Sequence, residues 1–275
     1  MKALIKIGGS LLDDPALRND IAGQIAAVAA SGVSVAVVHG GGKQMTRFLE
    51  ERGVQSRFIG GLRVTTEETI DAVLKVLAGT VNTQLVAALA AAGVKAVGLT
   101  GVDAGLATAE QMSPELGFVG KVASSDTHVL KALAHARLVP VIACLAGGAH
   151  GEIFNVNGDW MAVAIASSWE ADRLVFLTDV PGVMGSDKTI IPALTIAECE
   201  ELIATGVATG GMQAKLNAAV DAVANGVHEV RIVKGSDPFI LQRIFDPQDE
   251  KDEPGTRIVA RHNDPLLPVM TAILP

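Results

Sequence analysis

The sequence contains no tyrosine, and aromatic residues make up only 3% of its 275 positions. Its core must therefore be filled by Ala, Val, Leu and Ile. Hydrophobic residues reach 49%, enough for one large α/β domain or two small ones. Cysteine is scarce as well: Cys144 and Cys199 alone make no disulfide framework. Charged residues are 19%, the formal net charge is -8 and no dense Lys/Arg run occurs, which argues against a nucleic-acid footprint. Any anionic ligand must be held by a few local cations. No uninterrupted run reaches the roughly 18 apolar residues of a membrane span. The N-terminus lacks the basic region, apolar stretch and small-residue cleavage site of a signal peptide. A soluble cytoplasmic protein, without repeats or low-complexity segments, is the expectation.

What is present is an alternation. Short β-branched runs occur at ALIKI (3–7), VSVAVV (33–38), KAVGLT (95–100), LVPVIA (138–143), RLVFLT (173–178) and EVRIV (229–233). Near-continuous apolar runs of this length suit strands buried on both faces. Between them lie Ala-rich stretches of helical length, at about 15–30, 65–92, 126–136, 158–169, 195–205 and 211–226. Strand and helix in turn predict a mostly parallel sheet covered on both sides. FIGGLRV (58–64) and ELGFVGKV (115–122) interrupt the pattern as Gly-containing hairpins or flaps, and DPQDEKDEP (246–254) reads as a solvated charged loop.

In such sheets ligands bind beyond the carboxyl ends of the strands. Four segments after strands are unusual here: KIGGS, HGGGK running into a helix, NVNGD opening another, and LTDVPGV. Glycines let backbone approach a ligand and aim successive N–H groups at it, and a helix start favours an anion. None is a Walker A loop or a GxGxxG fingerprint, and each alone is compatible with a tight turn. Lys6, near the end of the first strand, either snorkels out or faces an anion, and Gly8 and Gly9 directly after it favour the second reading. Lys215 in TGGMQAK stands about one turn into a helix, where an ordinary exposed lysine is the plainer reading.

Taken together, the motifs are more specific. KIGGSLL, VVHGGGKQM, GLRVTTEETIDAVLKVLAGTVN, AVGLTGVD, ELGFVGKV, FNVNGDWMA, LTDVPGVM, TGGMQAKLNAA and GTRI occur in that order, and the chain resembles the acetylglutamate kinases of the amino-acid kinase family from Lys6 to about Ile258. The resemblance implies an open, mostly parallel eight-stranded sheet in a three-layer αβα sandwich. It implies a single domain with an N-terminal lobe (1–170) for the acyl amino acid and dimerisation, and a C-terminal lobe (171–275) for ATP. The implied activity is phosphorylation of the side-chain carboxylate of N-acetyl-L-glutamate, the second step of arginine synthesis.

By the same resemblance Lys6 and Lys215 neutralise charge on the transferring phosphoryl group, and Asp159 orients both. Acting as a cap of the following helix is the plainer reading of Asp159, and it is compatible with that role. Gly8 and Gly9 would supply N–H groups to phosphates, with Asp179 and Gly211 on the nucleotide and Mg2+ bridging phosphates. Gly41, Gly42, Arg63 and Asn155 would hold the amino-acid substrate. A guanidinium is geometrically suited to grip a carboxylate in a fork. His39, Cys144, Cys199 and the methionines read as structural. A carboxylate nucleophile is already ionised at neutral pH, so no general base is required.

Some features depart from the family pattern. Gly158 stands where alanine is usual, Thr83 where lysine is frequent, and the tail VARHNDPLLPVMTAILP is long and apolar, expected to pack as an extra strand or at a subunit contact. Little sequence precedes Lys6, so the expectation is a homodimer insensitive to arginine. The alternatives are a kinase for carrier-protein-linked aminoadipate or glutamate, to which this acidic chain offers little, and a non-catalytic amino-acid-binding sensor. Carbamate, aspartate, glutamate and uridylate kinases share the lysines and glycines but not GLRVT paired with NVNGD.

Overall fold

All six apolar runs are strands. The structure, a computed structural model, describes residues 1–245 and 254–262, so the charged segment 246–253 and the tail from 263 lie outside it. The described strands, in chain order, are β1 Lys2–Ile7, β2 Ser34–His39, β3 Phe58–Ile59, β4 Leu62–Arg63, β5 Ala96–Thr100, β6 Ala107–Gln111, β7 Val119–Ser125, β8 Val139–Ala143, β9 Leu145–Gly147, β10 Ile153–Val156, β11 Arg173–Thr178, β12 Ala193–Thr195, β13 Glu229–Lys234 and β14 Thr256–Val259. The described α-helices are α1 Pro15–Ala30, α2 Gly42–Glu50, α3 Glu67–Val73, α4 Asn82–Ala91, α5 His128–His135, α6 Gly158–Ser168, α7 Ile196–Ala204, α8 Gly210–Ala224 and α9 Ile240–Phe245.

One eight-stranded sheet carries the fold, in the order β12-β14-β13-β11-β1-β2-β8-β5. Every neighbouring pair is parallel except β13 with β14. Its two faces hold separate cores. Ala3, Ile5 and Ile7 of β1 join Val35, Val37, Val175 and Leu177 beneath the layer of α1, α4 and α9. Leu4 of the same strand joins Ala36, Val38, Leu174 and Phe176 beneath α6 and α8. The pleat sends alternate side chains to opposite faces, so Lys6 falls on the Leu4 side. The expected three layers are present, and both cores run across residue 170.

Two segments differ from the plain alternation. Residues 74–81 form a π-helical stretch joining α3 to α4, so Glu67–Ala91 is one continuous helix. By length and composition this helix could cross a membrane, yet half of its most apolar window is buried inside the protein. It is a core helix, and its polar interruptions are why no uninterrupted apolar run is visible in the sequence. The second departure is a closed four-stranded unit of β10, β7, β6 and β9. FIGGLRV is the expected hairpin, β3 paired with β4. ELGFVGKV is part turn and part β7, and its Phe118 N–H donates to the Thr65 carbonyl at 2.7 Å. NVNGD begins within β10 of the small unit and not at the end of a strand of the main sheet.

Candidate active site

Strand β1 lies at the centre of the sheet, and Lys6 sits one residue from its carboxyl end opposite Phe176 and Val38. On that face the first turn of α6 brings Asp159 over the strand end. Lys6 Nζ lies 2.6 Å from Asp159 Oδ1, and Lys215 Nζ, from α8, lies 3.0 Å from Asp159 Oδ2. One carboxylate thus holds two ammonium groups from opposite halves of the chain. Burial alone would push the Asp159 carboxyl up, but Lys6 and Lys215 outweigh it and hold it below the ordinary value. The helix cap is a different residue: Asn157 Oδ1 accepts from the N–H groups of Asp159 and Trp160 at 2.8 and 3.3 Å. The capping reading of Asp159 is corrected, and its side chain is committed to the lysines.

The glycine loops after β1 and β2 touch each other. A Cβ on Gly9 would stand 2.7 Å from Gly41 N and 2.9 Å from Gly42 N, closer than side-chain carbons approach backbone, so only glycine lets the loops meet. Gly9 opens a short 3-10 turn, Gly9–Leu12, where N–H groups lack partners within the helix. Gly8 does not serve as expected. Its N–H donates to the Leu177 carbonyl at 3.0 Å, which extends the β1–β11 pairing and leaves nothing for a phosphate.

Beside these loops a cleft of about 200 Å³ is lined by Gly41, Gly42, Arg63, Leu77, Asn155 and Gly158, among others. Arg63 donates to Ser56 Oγ, to the Gly42 carbonyl at 3.1 Å and to Thr46 Oγ1 at 2.7 Å, and its guanidinium stacks on Phe58 at 4.7 Å. Burial lowers its pKa from the ordinary arginine value. Asn155 Nδ2 donates to Thr65 Oγ1 at 3.1 Å, which turns its carbonyl oxygen into an available acceptor. Phe58 lies within FIGGLRV, but Ser56 and Thr46, 7 and 17 residues before Arg63, are common polar residue types that escape a motif reading.

Two further predicted residues, Asp179 and Gly211, are not among those lining the cleft. Asp179 follows β11 and is exposed. Gly211 lies in the first turn of α8, four residues before Lys215, and is also exposed. Gly158 has a steric reason: a Cβ there would stand 3.2 Å from both Lys6 Cε and Cys144 Sγ. Cys144 is buried with its thiol pushed up to about 12, mainly by burial, and its Sγ–H donates to the His39 carbonyl at 2.9 Å. His39 is fully buried and Cys199 is buried too. Among the described residues no three of His, Cys, Asp and Glu gather as a metal cage.

The architecture has relatives. The acetylglutamate kinase of Solibacter usitatus is 57% identical over 94% of this chain and 99% of its own length. That of Acidobacterium capsulatum is 47% identical over 88% and 94%. Among solved structures, the smu.665 protein of Streptococcus mutans UA159 superposes with a TM-score of 0.81 at 30% identity, covering 94% of this chain and 99% of that one. The N-acetylglutamate synthase of Neisseria gonorrhoeae, solved with coenzyme A and N-acetyl-glutamate, gives 0.84 at 25% identity, over 94% of this chain and 59% of that one. Residues 1–234 match the amino acid kinase family model. With its central strand, its glycine loops and its paired lysines placed as above, the chain belongs to the amino acid kinase family.

Proposed function

We propose that this cleft transfers the terminal phosphoryl group of ATP to the side-chain carboxylate of N-acetyl-L-glutamate, giving N-acetyl-L-glutamyl 5-phosphate in arginine synthesis. The observation that carries it is the convergence of Lys6 and Lys215 on Asp159, beside a cleft whose lining includes an arginine and an asparagine. Phosphoryl transfer spreads negative charge over several oxygens, and fixed cations with backbone N–H groups stabilise it. Each ammonium has three donors and places one on Asp159, so both have protons left for phosphoryl oxygens. The acceptor carboxylate is ionised at neutral pH. No base has to act, and the buried His39 is not needed as one.

In this reading Arg63 takes the α-carboxylate, Asn155 Oδ1 accepts from the acetamido N–H, and the N–H groups of Gly41 and Gly42 hold the reacting end. Gly9, Asp179 and Gly211 face the nucleotide, and Gly8 only shapes the loop. Residues 1–170 carry the acyl amino acid and a homodimer contact, and 171–275 carry ATP, in a cytoplasmic enzyme. Both Asp159 oxygens are occupied by ammonium groups, so in this reading Mg2+ is held by the phosphates of the nucleotide. Bound there, the ion would neutralise phosphate charge.

The test is ADP release by the purified protein with Mg-ATP and, in turn, N-acetyl-L-glutamate, glutamate, aspartate, carbamate or no acceptor. Stimulation by N-acetyl-L-glutamate alone is expected. Equal stimulation by unacetylated acceptors, or silence despite ATP binding, would sink the proposal, and silence would favour a carrier-linked substrate or a sensor. Sedimentation as a monomer would remove the dimer.

A further inference from the structure

His39 is fully buried, yet both of its ring nitrogens are engaged. Nδ1 lies 3.0 Å from the Gly40 carbonyl oxygen, and Nε2 lies 3.0 Å from Asn82 Nδ2. A carbonyl only accepts, so Nδ1 carries the proton and Nε2 receives one from Asn82. The amide orientation of Asn82 is set independently, because the same Nδ2 donates to the Val141 carbonyl at 2.8 Å. Asn82 has its place for a reason of packing: a Cβ on Gly98 would stand 2.1 Å from its Oδ1. Burial keeps the ring neutral by lowering its pKa to about 4. The backbone of His39 is held too, through Cys144 Sγ.

The peptide joining Gly40 to Gly41 is planar and trans, so its C=O and N–H point in opposite directions. A carbonyl clamped toward the helix layer forces the Gly41 N–H the other way, to the side on which Gly9 approaches within contact. Glycine has no side chain to bias that peptide, and a flip would leave a carbonyl where a donor is needed. We infer that His39, braced by Asn82, is a positioning residue that locks the Gly40–Gly41 peptide with its N–H facing the substrate. The clamp acts through Gly41 and touches no substrate. It rests on the reading of this cleft as the acyl amino acid site.

The experiment compares His39→Leu, which removes the donor, with His39→Asn, whose side-chain amide nitrogen can stand in for Nδ1. Steady-state kinetics would be measured for N-acetyl-L-glutamate and for ATP. For His39→Leu, kcat/KM toward N-acetyl-L-glutamate falls about tenfold or more while the KM for ATP stays at the wild-type value, and His39→Asn recovers most of the loss. Equal losses toward both substrates, unchanged kinetics in His39→Leu, or no recovery in His39→Asn would overturn the clamp. If His39→Leu does not fold, Asn82→Ala releases the brace and must give the same acceptor-selective pattern, or the inference fails. A wild-type protein that ignores N-acetyl-L-glutamate defeats the functional reading instead. The clamp is then decided by the Gly41 amide resonance, which must move in His39→Leu and stay near its wild-type position in His39→Asn.

Discussion

Among the described residues two buried carboxylates are surrounded by cations, and their surroundings differ. Asp159 sits at the carboxyl edge of the sheet between Lys6 and Lys215. Glu229 sits at the start of β13, with Nε of Arg173 and of Arg231 each 2.7 Å from Oε1 and Nε of Arg257 2.9 Å from Oε2. In both places burial works to raise the carboxyl and the neighbouring cations overcome it, so both acids stay ionised. The difference lies in the cations and in what surrounds them. Around Glu229 the groups are guanidinium forks on adjacent strands, and Arg173 also donates to the Ile244 carbonyl at 2.6 Å. Around Asp159 they are ammonium groups on flexible stems, from elements far apart in sequence, beside a cleft. The first arrangement ties β11, β13 and β14 together; the second leaves two ammonium groups beside an open cleft.

Breaking the closed cluster should cost the most. Glu229→Ala leaves three guanidinium groups without their shared carboxylate, and a loss of about 3–5 kcal/mol in unfolding free energy is expected. Urea titration reads this, and the surviving folded fraction should keep near-normal turnover. Breaking the open cluster should do the reverse. Lys6→Ala or Lys215→Ala is expected to lower kcat on the order of 10²-fold, about 3 kcal/mol, with a much smaller change in melting temperature. Wild-type turnover in both variants would remove the lysines from the mechanism.

Acid sharpens the comparison. The folded pKa values of Asp159 and Glu229 are depressed, so their contribution is complete above the unfolded value near pH 4 and is lost as pH falls through the folded values. His39, lowered to about 4 from 6.5, prefers to be neutral when folded and costs stability earlier, as pH drops from about 6.5 toward 4. That window is worth about 3 kcal/mol at 1.4 kcal/mol per pKa unit. Stability measured across it should decline in the wild type and much less in His39→Leu; parallel curves would refute the buried neutral ring. The smallest effect belongs to Lys215→Arg, which keeps the charge and changes its shape. A fall in kcat of about tenfold is expected with a stability change within about 0.5 kcal/mol. Unchanged kcat would mean that only charge matters at that position.

The legible parts of the fold were those with a strong local signal. Six β-branched runs and the Ala-rich stretches between them give strands and helices within a residue or two of the observed ends. β12 and β14, of three and four residues, and the six-residue α9 are too short to show a period. The site was partly legible through its glycines and lysines. Gly8 misleads because whether an N–H is free depends on which strand lies beside it, here β11 through Leu177. Asn82 closes the motif GLRVTTEETIDAVLKVLAGTVN, but nothing local shows its contacts, because its partners Val141 and His39 are 59 and 43 residues away.

By itself the sequence determined the layers, since apolar periodicity and chain length leave few ways to bury the core, and it determined which residue types are available for chemistry. Only the tertiary structure decided which of them act together. Lys6, Asp159 and Lys215 meet because α6, entered from the small unit, packs on β1, and α8, entered from α7, packs on α6. The same packing took the Gly8 N–H away from the site and set His39, the first residue of HGGGK, against the carbonyl of its own glycine loop. Hydrogen-bond partnership is settled by distance and direction in space, and a one-dimensional pattern contains neither.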